Sequence, residues 1–276
     1  MTYSEALFEG KNRLMEAGVP DAGIDAGLLL GFVTGKDRVY ITSRGGEELP
    51  SEKTEEYFSF VERRSSRMPL QYLTGRTEFM GLTFETSPGV LIPRLDTEYL
   101  VEEAIKIVED GARVLDLCTG SGCILLSLMH YKNNIRGTGS DISEEALLLA
   151  KRNADRLGLS ADFVKSDMFA SLSGPFDYLI VNPPYIRTGD IESLMPEVKD
   201  HEPRTALDGS EDGLLFYRRI ADEAKAYLSG EAWLLMETGF DQGEEVKALF
   251  EKAGYLEAEV IRDLSGKERV VKCLKN

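Results

Sequence analysis

Two periodicities divide the chain. Over residues 1 to about 70 the apolar positions recur at helical spacing. Leu7, Phe8, Leu14 and Met15 follow a capping Ser4, and a second run, Ile24 to Val33, lies between Pro20 and Gly35. A third, Thr54 to Arg67, puts Tyr57, Phe58 and Val61 on one face and is ended by Pro69. Around Phe79 and Phe84 stand two short apolar stretches split by Met80-Gly81, a pattern that predicts a hairpin between two domains. Asp96 or Thr97 then opens a helix carrying Tyr99, Leu100, Ile105 and Val108.

From residue 113 onward strands and helices alternate. RVLDL (113–117) is a strand, followed by a Gly-rich turn and an apolar helix from Cys123 to about His130. Ile135–Ser140 forms a strand ending at Asp141, and Ser143 caps a helix with Ala146, Leu147, Ala150, Ala154 and Leu157 in one stripe. Phe163–Lys165, the fully apolar Tyr178–Val181, Ala232–Met236, Leu256–Ile261 and Arg269–Leu274 are further strands. Leu214–Leu228 and Glu244–Ala253 are the last helices. Such alternation predicts an α/β domain with a mostly parallel sheet covered on both faces.

Composition narrows the class. A chain of 276 residues fits two domains, or one large domain with an extension, and 42% apolar with 29% charged residues is globular. Three cysteines give neither a disulfide framework nor a four-ligand zinc site and suit a reducing cytosol. No apolar run approaches the roughly 20 residues of a membrane helix, and the N-terminus lacks a signal-peptide layout. The formal charge of −16 argues against a protein whose main work is gripping a phosphate backbone, although acidity also simply keeps proteins soluble. The cluster Arg63, Arg64 and Arg67 is expected on a solvated helix face, and His130 and His201 as structural or solvated residues.

Two constellations carry the chemistry. DLCTGSG, Asp116 to Gly122, sits at a strand-to-helix junction, where small residues let a ligand approach the main chain. Asp141 ends the next strand, where a carboxylate can accept from both hydroxyls of a ribose; its other reading is a helix cap. The turn lacks the G-x-G-x-x-G of a dinucleotide fold and the Lys-Ser/Thr of a P-loop, and Asp116 suits a cationic ligand better than a pyrophosphate. S-adenosylmethionine, with its sulfonium and ammonium, fits an acidic rim.

Asn182-Pro183-Pro184-Tyr185 follows the apolar fourth strand directly. Two prolines stiffen the chain and leave their carbonyls free to accept, Asn182 offers a donor and an acceptor on one plane, and Tyr185 offers an aromatic face. This is a clamp for a planar NH2-bearing group. Amide and base-exocyclic nitrogens are poor nucleophiles because their lone pairs are delocalised. Two accepted hydrogen bonds bias the nitrogen towards tetrahedral geometry and aim it at a methyl group, and ideal alignment of this kind supplies about 7–11 kcal/mol.

These motifs, with PLQYLTG (69–75), EFMGLTF (78–84), VLIPRLDTEYLVE (90–102), EPRTALDGSEDGLLFYRRI (202–220) and METGFDQ (236–242), resemble the release-factor glutamine methyltransferases, the HemK/PrmC family of S-adenosylmethionine-dependent enzymes. The resemblance covers nearly the whole chain. It implies a seven-stranded Rossmann-like methyltransferase sheet, mostly parallel with one antiparallel strand. The implied domains are a helical substrate-recognition domain (1–75), a hairpin linker (76–92) and the methyltransferase domain (93–276).

By the same resemblance Cys118, Thr119, Gly120, Ser121 and Gly122 surround the cofactor's methionine end, and Asp141 binds its ribose. Asp167 and Met168 meet its adenine, and Arg94 and Thr97 border the pocket. Asn182 touches both cofactor and substrate, and Pro183, Pro184 and Tyr185 complete the glutamine clamp, with Asn182, Pro183 and Tyr185 as the catalytic set. The implied reaction methylates the side-chain amide nitrogen of the Gly-Gly-Gln glutamine in class I peptide-chain release factors. It releases S-adenosylhomocysteine, uses no metal, and takes place in the cytoplasm without a membrane or stable nucleic-acid partner. Two positions depart from the family: Cys118 stands for a glycine, and Met168 where an aromatic is frequent. A nucleic-acid adenine amino-methyltransferase would use the same clamp on a flipped base. A binding module that has lost the reaction and a nicotinamide oxidoreductase are the other readings.

Overall fold

The computed structural model describes residues 1–276. The chain divides into two compact units: Met1–Arg76 with Met195–His201, and Thr77–Leu194 with Glu202–Asn276. No helix is long and apolar enough to cross a membrane.

The first unit contains α1 (Tyr3–Glu16), α2 (Ala22–Thr34), α3 (Arg38–Ser43), α4 (Ser51–Ser65) and α5 (Leu70–Thr74). Thr2, not Ser4, caps α1: its hydroxyl accepts from the Glu5 N–H while the Glu5 carboxylate accepts from the Thr2 N–H. The apolar pattern misses α3 and α5, which are too short to show a helical period. Pro69 does not end α4, which stops at Ser65; its extended backbone leads into α5 instead. Leu14, Leu29, Leu30, Tyr57 and Val61 form the core. Gly10 lets α1 and α4 meet, because a Cβ there would lie 2.0 Å from the Tyr57 hydroxyl.

The arginine cluster is not uniformly solvated. Arg63 is exposed, but Arg64 is buried and donates to Asp25 at 2.7 Å and to Glu197 at 2.9 Å. Arg67 grips the same Glu197 through two nitrogens, at 2.7 and 2.6 Å. Burial pushes the Glu197 carboxyl up, but the two guanidiniums outweigh it and hold it below the usual range. These ion pairs anchor the excursion Met195–His201, with its one-turn helix Pro196–Lys199, in the first unit. A partner 130 residues away along the chain leaves no trace in local periodicity.

A two-stranded hairpin, β1 (Arg76–Phe79) and β2 (Leu82–Glu85), follows, and the second unit starts within β1 at Thr77. Both turn residues, Met80 and Gly81, have positive φ (50° and 69°), the geometry that matches strand twist in two-residue hairpins. Then come α6 (Glu98–Ile107), β3 (Arg113–Leu117), α7 (Cys123–Tyr131), β4 (Arg136–Asp141), α8 (Glu144–Leu157), β5 (Asp162–Lys165) and β6 (Phe176–Val181). With Pro196–Lys199 as α9, the chain ends in α10 (Leu215–Glu223), β7 (Leu228–Glu237), α11 (Gly243–Lys252), β8 (Leu256–Arg262) and β9 (Glu268–Lys275). The seven-stranded sheet has the order β5-β4-β3-β6-β7-β9-β8. β9 runs antiparallel to both neighbours, and the other pairings are parallel.

One face of the sheet is covered by a core that includes Phe169, Tyr217, Leu234 and Phe250, the other by one that includes Leu100, Val101, Leu125 and Leu128. The chain builds outward from β3 to β4 and β5, then returns to place β6 on the opposite side of β3. That switch point opens a crevice at the carboxyl ends of β3 and β6, where such sheets bind ligands.

Candidate active site

The turn after β3 is a left-handed path. Cys118, Gly120 and Gly122 have φ of 60°, 54° and 80°. Glycine adopts such angles without penalty; Cys118 carries a Cβ in a region that disfavours it. Gly122 has a second constraint, since a Cβ there would meet Ala150 and Leu126 side chains at 3.1 Å. Asp116 is fully buried beneath the turn and accepts the Thr119 hydroxyl at 2.5 Å. Burial pushes its carboxyl up to about 7, against the opposing Thr119 bond. Asp116 therefore braces the turn and is not part of an acidic rim. A second brace comes from Asn153 on α8: its Nδ2 donates to the Ser121 carbonyl at 2.9 Å, and its Oδ1 accepts from the Glu85 N–H at 2.7 Å.

Asp141 stands at the carboxyl end of β4. One carboxylate oxygen accepts from the Gly120 N–H and the other from the Ser143 N–H, both at 2.9 Å. Burial raises its pKa and these backbone donors oppose the rise. The helix cap belongs to Ser143, whose hydroxyl accepts from Ala146 at 3.2 Å. After β5, Met168 turns at a φ of 50° and is buried. Its neighbour Asp167 pairs with Arg219 of α10 at 2.7 Å.

Asn182 to Tyr185 leave the end of β6. Asn182 Nδ2 donates to the Thr97 hydroxyl at 3.3 Å. The Tyr185 hydroxyl donates to Glu237 Oε1 at 3.1 Å, and Gln242 Nε2 donates to the Tyr185 carbonyl at 3.0 Å. Glu237 ends β7 and is only 2% exposed. The loop before α6 is fixed through Arg94, which pairs with the buried Glu202 at 2.5 Å.

A cavity of about 700 Å³ opens at these strand ends. It is large enough for a cofactor and a substrate side chain together. Cys118 to Ser121, Asp141, Asp167, Met168, Asn182, Pro184, Arg94 and Thr97 line it. Gly122, Pro183 and Tyr185 do not; Tyr185 instead packs against the core under the sheet. Sequence reading missed Arg219, Glu202, Asn153 and Glu237. EPRTALDG and METG marked the stretches holding Glu202 and Glu237, but nothing local to either shows the partner it meets in space.

The family model of the PrmC N-terminal domain matches residues 5–75, and that of the methyltransferase small domain matches residues 82–198. A Release factor glutamine methyltransferase of Geobacter sulfurreducens is 41% identical over 271 residues, covering 98% of this chain and 95% of the relative. One of Clostridium acetobutylicum is 38% identical over 279 residues, covering 98% of each. Among solved structures, a methyltransferase from Pyrococcus furiosus superposes with a TM-score of 0.54 at 21% identity, covering 71% of this chain and 90% of that one, and shares the fold.

Proposed function

The chain belongs to the release factor glutamine methyltransferases, and on that premise we propose how its cavity divides the work. The enzyme methylates the side-chain amide nitrogen of the Gly-Gly-Gln glutamine of class I release factors. S-adenosylmethionine occupies the side formed by β3, β4 and β5, and the glutamine enters beside Asn182. One observation carries this reading: a single cavity gathers the left-handed turn, Asp141, Met168 and Asn182 at the switch point of the sheet.

The residues fit that cofactor. Asp141 has lone pairs left beyond its two backbone bonds and can accept from ribose hydroxyls. Met168 presents a thioether to a flat base, and Asp167, steadied by Arg219, lies beside it to receive an amino group. Residues 118–121 let the methionine end approach the backbone. When bound, S-adenosylmethionine supplies a methyl group activated by its sulfonium charge.

The chain's own residues prepare the acceptor. With Nδ2 committed to Thr97, Asn182 keeps Oδ1 to accept one amide N–H, and a proline carbonyl of the loop, of which Pro184 lines the cavity, accepts the other. The nitrogen is thereby aimed and its growing positive charge is met by fixed dipoles. Its surplus proton leaves to water once the N–C bond has formed. Tyr185 acts from behind the loop by fixing its path. The helical unit contributes to holding the release factor, and the reaction belongs to the cytoplasm.

Mass spectrometry of a class I release factor incubated with this protein and S-adenosylmethionine tests the reading. One added methyl on the Gly-Gly-Gln glutamine is expected, absent with Asn182→Ala, which should retain much of its cofactor affinity. Methyl label entering DNA and not the release factor would reverse the substrate assignment. Undiminished turnover by Asn182→Ala would remove the clamp.

A further inference from the structure

We infer that Gln242 is a positioning residue of the transfer site: from the start of α11 it holds the Tyr185 carbonyl and thereby sets the direction of the proline carbonyls in the Asn182–Tyr185 loop. The catalytic consequence rests on the proposed function, while the hold on Tyr185 is a property of the protein alone.

Proline removes only part of the loop's freedom. Its ring fixes φ at residues 183 and 184 and leaves each ψ free. The direction of the Pro184 carbonyl therefore depends on its own ψ and on how Tyr185 is seated. One end of the loop is fixed by β6, whose Val181 pairs with Leu117 of β3 and Met236 of β7. The other end has to be fixed beyond the prolines, and the structure does so at Tyr185 and Ile186. The Tyr185 hydroxyl donates to Glu237 Oε1 at 3.1 Å, and the Tyr185 carbonyl accepts from Gln242 Nε2 at 3.0 Å. The Ile186 N–H donates to the Leu207 carbonyl at 2.9 Å, and the Ile186 carbonyl accepts from the Gly209 N–H at 2.8 Å.

The Gln242 amide is itself oriented. It is only 2% exposed, and its Oε1 accepts from the Gly239 N–H at 3.1 Å. A flipped amide would set donor against donor at Gly239 and acceptor against acceptor at Tyr185. The chain also leaves room for this bond alone. A Cβ on Gly213, whose φ is 77°, would lie 2.4 Å from both Gln242 Nε2 and the Tyr185 carbonyl oxygen. A Cβ on Gly209 would lie 2.8 Å from the Tyr185 Cα. Without the Nε2 donor, the Tyr185 peptide turns towards another partner and the Pro184 carbonyl turns with it. Pro184 lines the cavity, so the acceptor is misaimed, while the side formed by β3, β4 and β5 is untouched.

Gln242→Glu and Gln242→Met separate the donor from the volume. An ionised carboxylate sets an oxygen against the Tyr185 carbonyl; once protonated it donates there, while its other oxygen still accepts from Gly239. Methionine fills the space and donates at no pH. In the full chain at about pH 8.5, kcat for a Gly-Gly-Gln peptide should fall about 10- to 100-fold in both variants, with the Kd for S-adenosylmethionine within about twofold of wild type. As a ratio to wild type, kcat of Gln242→Glu should recover as the pH falls to about 6, because burial raises the pKa of the introduced carboxyl, and Gln242→Met should recover nothing. Glu237, Asp241 and Glu268 stand around Gln242, on the Tyr185 hydroxyl, on Arg187 and on the Gly243 N–H; they are common to all three proteins and drop out of the ratio.

Carbon-13 NMR needs no substrate. Labelling tyrosine carbonyls together with isoleucine nitrogens selects two peptides, Tyr40-Ile41 and Tyr185-Ile186, the first serving as a control. The Tyr185 carbonyl resonance should move in Gln242→Met, and in Gln242→Glu it should return towards the wild-type position as the pH falls. Should Gln242→Met fail to fold, the two pH states of Gln242→Glu carry the test alone. An unmoved Tyr185 carbonyl overturns the proposal. So does a joint loss of kcat and cofactor affinity with no recovery at low pH, the mark of a merely structural residue. A carbonyl that moves and recovers, in a protein that methylates no Gly-Gly-Gln peptide, upholds the hold on Tyr185 and overturns the substrate reading instead.

Discussion

Asn153→Ala should destabilise the second unit by about 2–6 kcal/mol, more than its position on a helix far from the reacting atoms suggests. Asn153 is fully buried on α8 and satisfies three backbone groups: the Ser121 carbonyl at 2.9 Å, the Glu85 N–H at 2.7 Å and the Glu85 carbonyl at 3.3 Å. Truncation leaves the Ser121 carbonyl and the Glu85 N–H without their partner. Each stranded buried group costs about 1–3 kcal/mol, and the longer third bond adds little. For a unit of this size, each kcal/mol lowers Tm by about 2–4 °C, so a drop of at least about 4 °C is expected in its calorimetric transition. Asn153 also ties the hairpin to the turn that faces the cavity, so affinity for S-adenosylmethionine should weaken in parallel. Calorimetry followed by titration with the cofactor measures both. A fall in Tm below about 2 °C with unchanged affinity would refute the reasoning, because it would mean that Ser121 and Glu85 find other partners once the amide is gone.

Two further perturbations probe the same turn. Cys118→Gly removes a Cβ from a φ of 60°, relieving about 1–2 kcal/mol of strain, while glycine adds about 0.5–1 kcal/mol of chain entropy in the unfolded state. A net gain of about 0–1.5 kcal/mol in urea denaturation is therefore expected, and a net loss would show that thiol packing outweighs backbone strain. Asp116, pushed up to about 7, binds its proton more tightly folded than unfolded. Stability should therefore fall as pH rises from about 4, the unfolded value, through about 7, with Glu237 contributing in the same window. Asp116→Asn should make that fall shallower, and an unchanged slope in urea melts across this range would show that Asp116 is ionised in the folded state throughout.

What could be read from the sequence divides along a physical line. Features that depend on a residue and its near neighbours were legible. RVLDL alternates with helical stripes and is a strand to the residue, and Met80-Gly81 makes the hairpin because that turn requires two left-handed residues. DLCTGSG and NPPY stand at strand ends, where topology alone brings them into one crevice. Features set by a partner far along the chain were not. Arg64 looks like any arginine on a charged helix until Asp25 and Glu197 close around it. Asp116 looks like a rim acid, yet its strand points it under the turn. The same line runs through the NPPY loop itself. Its stiffness is written in two prolines, whereas its placement depends on Thr97, which meets Asn182, and on Glu237, which meets Tyr185, reaching it from a different loop and a different strand. Grip is thus encoded locally and aim is encoded by the fold. Substitutions within the loop should therefore remove the reaction, and substitutions at its distant partners should leave binding in place while misdirecting it.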